Sequence, residues 1–183
     1  MFTEKEGYFE MEKKRVTKTF KVYEIVALVN WYEGFYESKL RELPIKIQWL
    51  LDKNIKAMVA DAKNFMTFRE GIMKNIQEKY FTDEKTEDFE TEQKDENGNV
   101  VKDENGKVVM QKMKKVKDEF LEEYQKELEG INKELESVAS EEKEYTISLI
   151  DIDSLIEGLS DDSNINIDDL NMIAAFTKED SDE

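Results

Sequence analysis

The chain has no cysteine and no histidine, a single proline and only seven glycines among 183 residues. Without cysteine there is neither a disulfide nor thiolate chemistry. Without histidine the commonest general base and metal ligand is missing. A lone proline, Pro44, leaves long stretches free to be helical. No apolar run approaches the roughly 18 residues a membrane-spanning helix needs. The opening MFTEKEGYFEMEKKR has no apolar h-region and no cleavage signal, so the chain is expected to act in the compartment where it is made.

Charge is what the chain has in excess. Charged residues reach 39%, well above the usual quarter, a bias of helix-rich and coiled-coil-like proteins. A net charge of −17 argues against a phosphate-binding surface and favours either a basic partner or simple solubility.

Helical spacing organises the middle of the chain. From Pro44 to about Tyr80, Ile47, Leu51, Ile55, Met58, Ala62, Phe65, Ile72 and Ile76 recur in steps of three and four. Pro44 suits the first turn, where its missing N–H is no loss. Such a helix would run about 55 Å and needs a second helix beside it. Met113 to Ser140 supplies a matching seam in Val116, Phe120, Tyr124, Leu128, Ile131, Leu135 and Val138. A shorter helix is expected from Tyr23 through Leu43, ended by the proline that follows. Trp31 and Trp49 flank that corner and are read as closing it. Gly71 marks a bend or a close approach in the long helix.

Alternation predicts two strands, Arg15–Val22 and Tyr145–Ile152, which pair to bring the ends of the helical hairpin together. Asn166 is the expected N-cap of a short helix over about Asp168–Phe176. Between the long helices, TDEKTEDFETEQ is read as loop or frayed helix. Then the octapeptide KDENGNVV is repeated as KDENGKVV, differing only at Asn99 against Lys107. Asn105-Gly106 is a two-residue hairpin signal, which places Val100, Val101, Val108 and Val109 in the arms of one β-hairpin. Asp95, Asn97 and Asn99 imitate the first ligands of a calcium loop, but Val100 and Gly106 stand where its glycine and bidentate glutamate belong.

The expected fold is therefore mainly α: a long antiparallel helical hairpin, coiled-coil-like, with a small β element joining the termini and a β-hairpin insert at about 94–112. The expected domain organisation is a flexible arm over 1–14, one α-rich domain over 15–176 and an acidic tail over 177–183. No phosphate-binding loop, dinucleotide fingerprint or zinc motif occurs. Carboxylates are too numerous for any pair to mark acid–base work. Asp151, Asp153, Asp161, Asp162, Asp168 and Asp169 are read as caps and loop residues, ahead of a weak divalent-cation site.

The order of these features resembles a family of small tailed-bacteriophage proteins of unknown function, encoded near virion structural genes. The likeness covers roughly Arg15 to Phe176. It rests on the corner RELPIKIQWLLDKNIKAM with its Lys53-Asn54 pair, on FLEEYQKELEGINKELESV, on the strand YTISLIDIDSL and on the closing DDLNMIAAF. The resemblance implies a non-enzymatic phage structural or assembly protein, located in the virion or the host cytoplasm. It brings no active residues and no cofactor. Phage structural proteins are the expected partners, with self-association as a further option; direct contact with nucleic acid or membrane is not expected. Val100, Val101, Val108, Val109, Trp31 and Trp49 are the candidate interaction residues. The alternative is an acidic inhibitor of a host nucleic-acid-binding protein, which would need carboxylates spaced like DNA phosphates.

Overall fold

The computed structural model describes residues 15–177; the expected N-terminal arm and all but the first residue of the acidic tail lie outside them. Helix accounts for about 56% of the chain, beside small antiparallel strand pairs, so the mainly-α class holds. Residues expected as one domain group into two compact units, one of residues 15–67 with 136–177 and one of Phe68–Leu135.

In the first unit, β1 (Arg15–Lys21) pairs antiparallel with β4 (Glu142–Ser148), with Val16 opposite Ile147 and Phe20 opposite Lys143. The expected partner strand began three residues later. The extension pairs opposite charges, Lys21 facing Glu142, and the strand ends where Ile150 leaves to bridge Thr177. Helix α1 (Val22–Ser38) follows β1 directly and stops before the proline corner, the last turn becoming a 3₁₀ segment at Leu40–Glu42. Ser38 turns its hydroxyl back onto the Gly34 carbonyl at 2.7 Å, a local bond that competes with continuing the helix.

Helix α2 (Ile45–Tyr80) starts where the proline predicted. Its N-terminal part supplies Ile47, Leu50, Leu51, Ile55, Met58 and Ala62 to one core with Ile25, Leu28, Val29, Tyr32 and Phe35 of α1. Ile147, Leu155 of α4 (Ile152–Glu157), and Ile173 and Phe176 at α5 (Ile167–Ala174) complete that core. Asn54 is its principal buried polar group. Its amide donates to the Ser148 carbonyl at 2.8 Å and accepts the Ser148 N–H at 2.9 Å, pairing the end of β4 as a neighbouring strand would. Asn166 caps α5 as expected, in a reciprocal box with Asp169.

The second unit contains the end of α2, the ribbon of β2 (Thr86–Glu92) and β3 (Met110–Val116), and most of α3 (Asp118–Ala139). Ile76, Tyr80 and Val116 are buried there, packed by Phe120, Tyr124, Leu128 and Ile131. Here the sequence reading needs correction. The stretch expected as loop or frayed helix is turn only at residues 82–85 and becomes a strand over Thr86–Glu92, and α3 begins at Asp118 instead of Met113. The reason is electrostatic: acidic β2 lies against basic β3, Asp88 facing Lys114 and Glu90 facing Lys112, with Lys115 and Glu87 at 2.8 Å. Nor does Gly71 mark a close approach, since a Cβ there would meet nothing within 4 Å.

Candidate functional site

In the first unit β1, the start of α1 and α5 enclose an open groove of about 420 Å³. Phe20 forms its floor, tilted against Phe176 with ring centroids 6.1 Å apart. Tyr23, Ala27, Met172 and Ala175 give apolar walls, and Tyr23 is half exposed. The charged groups at the groove are occupied by the fold itself. Lys18 donates to the carbonyls of Ala175 at 3.2 Å and Thr177 at 2.7 Å, neutralising the C-terminal end of α5. Glu24 accepts the Lys21 N–H at 2.7 Å and so caps α1. The rest of the lining is mostly apolar, with Thr19 and Asn171 as its further polar residues.

The ionisable groups inside this unit serve packing in the same way. Tyr32 donates to Asp52 at 3.1 Å, and Tyr145 donates to Asp61. Burial first, and then the neighbouring carboxylate, raises each phenol well above its ordinary value. Asp169 is the convergence point between α1 and α5. It accepts from Trp31 Nε1 at 3.0 Å and from Lys39 Nζ at 2.7 Å. Burial works against its charge, but Lys39, the Asn166 amide and Trp31 outweigh it and hold the carboxyl below the usual range. Asp151 likewise serves as a cap, its carboxylate accepting the Asp153 N–H at 3.2 Å. Among the described residues no three such groups converge as metal ligands would.

The six candidate interaction residues fall in separate places. Trp31 is half-buried, tilted against Phe35 with centroids 4.6 Å apart and tied to Asp169. Trp49 is 48% exposed, with the Lys53 ammonium 4.9 Å from its ring centre. Neither closes the proline corner; Leu40, Leu43 and Ile47 do, and Gly158 lies so near Pro44 that a Cβ would come within 2.3 Å of the ring. The four valines gather, half-buried, at the far end of the ribbon in the second unit.

They do not form the arms of one hairpin. Each octapeptide closes its own turn: Gly98 N–H to Asp95 O and Gly106 N–H to Asp103 O, both at 2.9 Å. Only the glycines take positive φ, 82° and 77°, and among the described residues no asparagine does. The turns are therefore type I with a glycine bulge, not the two-residue Asn-Gly turn expected at Asn105-Gly106. Asp95 Oδ1 accepts the N–H groups of Asn97 and Asn99, and Asp103 Oδ1 accepts those of Asn105 and Lys107. An aspartate bonding its own turn this way favours the type I form.

The second unit also leaves apolar side chains in solvent that the sequence reading did not single out. Phe68 and Met73 on α2, Phe81 after it, and Met110 and Met113 on β3 are all exposed. Their signal was available as apolar residues just off the main stripe of α2 and as two methionines on opposite faces of β3, a strand exposed at every residue but its last.

Compared with models of known protein families, with curated proteins and with solved structures, the chain matches none. No helix among the described residues is long and apolar enough to cross a membrane.

Proposed function

We propose that this protein is a non-enzymatic structural or assembly component of a tailed bacteriophage, acting through protein–protein contacts. In this reading α2 and α3 form a long antiparallel helical hairpin that serves as a spacer, and the ribbon carries contacts. The observation that carries the proposal is the set of exposed apolar side chains in the second unit, Phe68, Met73, Phe81, Met110 and Met113. Apolar surface of this kind gains free energy when a partner covers it. The ribbon adds support, because neither β2 nor β3 has a second neighbour among the described residues. The resemblance to phage proteins supplies the context, and the net charge of −17 favours basic docking surfaces.

Mass spectrometry of purified virions tests this reading. The protein should be present in particles, or its loss should halt their assembly. If virions lack it, assembly proceeds without it and a host nucleic-acid enzyme co-purifies with it, the inhibitor reading replaces this one.

A further inference from the structure

We propose that the octapeptide is a register-neutral module: either copy can be removed, and the ribbon beneath it keeps every pairing it has now. The warrant is a coincidence of registers. The first tip pairs Lys94 with Val100, so continuing it backwards places Gln93 opposite Val101 and Glu92 opposite the residue at 102. Delete Lys102–Val109 and the residue at that place is Met110, which Glu92 already faces. The second tip pairs Lys102 with Val108. Delete Lys94–Val101 and Gln93 falls opposite Val109, to which its N–H already donates at 2.9 Å.

The junction shows how two copies coexist. In an ordinary hairpin Gln93 and one valine would exchange two backbone hydrogen bonds. Here that pair opens into a ring of three. Gln93 N–H donates to Val109 O at 2.9 Å, Val109 N–H to Val101 O at 3.0 Å, and Val101 N–H to Gln93 O at 2.8 Å. Each member gives one N–H and receives one, so the second copy leaves no donor or acceptor of the ring unmet. The repeat length matters because a strand's faces alternate with period two and pairing is lost residue by residue. An insertion of one complete turn-and-return unit shifts nothing, whereas one residue fewer slips the whole ribbon. Val100, Val101, Val108 and Val109 are on this view the shared hinge of two tips, and the insert is free to vary in steps of eight residues.

The test uses the full chain and its lack of cysteine. Glu92→Cys with Met110→Cys places two thiols directly opposite, within disulfide reach. The trap is built into the intact chain, into each eight-residue deletion, and into a deletion of Lys102–Val108. Oxidation should give the same disulfide yield in the intact chain and in both eight-residue deletions. In the seven-residue deletion the yield should fall at least roughly five-fold, because Met110 then faces position 91. Loss of the trap in either eight-residue deletion overturns the proposal, whether or not the rest of the chain folds. So does an undiminished trap in the seven-residue deletion, which would make the insert an ordinary loop.

Discussion

Trp31 donates its indole N–H to Asp169 at 3.0 Å across 138 residues of sequence. The same carboxylate accepts Lys39 at 2.7 Å and caps α5, so one side chain joins two helices and ends one of them. The carboxyl is held below its ordinary range, so its ionised form contributes stability above the unfolded-state pKa of about 4. That contribution is lost as pH falls through the folded value. Asp169→Ala should therefore destabilise by about 2–3 kcal/mol at neutral pH, leaving Lys39 and the indole N–H without their acceptor. Urea unfolding followed by circular dichroism checks the size. The gap between parent and variant should close as the pH falls below about 4.

Asn54 makes a second long-range bond, to both backbone groups of Ser148, and is itself buried. Asn54→Leu would fill the space but orphan a buried N–H and a buried carbonyl. A loss of about 2–4 kcal/mol is expected. Asn54→Asp retains an acceptor for the Ser148 N–H but sets a charge against the Ser148 carbonyl, and should also destabilise. Faster hydrogen exchange at the Ser148 amide would locate the damage.

These two residues show where sequence reading reaches its limit. The α2 seam, the proline corner and the Asn166 cap were legible because each is decided within a few residues by helical period or by an orphan N–H. Asp169 could be read as a cap but not as the partner of Trp31 and Lys39, because no local pattern links α1 to α5. Asn54 stood in a recognisable pair with Lys53, yet nothing near it pointed to Ser148. The ribbon was missed for a different reason. Half of its strand residues are charged and few are apolar, and the only sign of pairing was that one strand carried acids and the other lysines. The duplicated DENG was legible as turns; that each copy closes separately follows from the aspartate bonding its own turn.

Glycine substitutions should act with opposite signs. Gly71 and Gly130 lie within helices, and a Cβ at either meets nothing within 4 Å. Gly71→Ala and Gly130→Ala should each stabilise by roughly 0.5–1 kcal/mol, through helix propensity and a less flexible unfolded chain. Gly158→Ala places a Cβ 2.3 Å from Pro44 Cγ, in a ring that cannot swing aside, and should destabilise and lower the melting temperature. Thermal melts of the three variants compare them directly. A stable Gly158→Ala protein would mean that the proline corner yields more readily than its packing implies.

The charge pattern of the ribbon makes the last prediction. Lys115 pairs with Glu87 at 2.8 Å and Lys114 with Asp83, while Lys114 also lies opposite Asp88. These contacts lower the carboxyls of Glu87 and Asp83 and raise both lysines, chiefly through the hydrogen bonds between the partners. All are exposed, so salt should weaken them. Their larger effect is on register, because like charges set directly opposite each other oppose pairing. Lys114→Glu with Lys115→Glu should loosen the ribbon, read as faster amide exchange over Thr86–Glu92 and Met110–Val116. Adding Asp88→Lys and Glu87→Lys should restore most of the protection, because the two cross-strand pairs are then reversed and only the Asp83 contact of Lys114 stays lost. Recovery in the quadruple variant, and its decline as salt is raised, separates charge pairing from the intrinsic preferences of the substituted residues. If protection stays lost in the quadruple variant, the ribbon depends on the particular lysine side chains along β3, and the electrostatic account of its register is wrong.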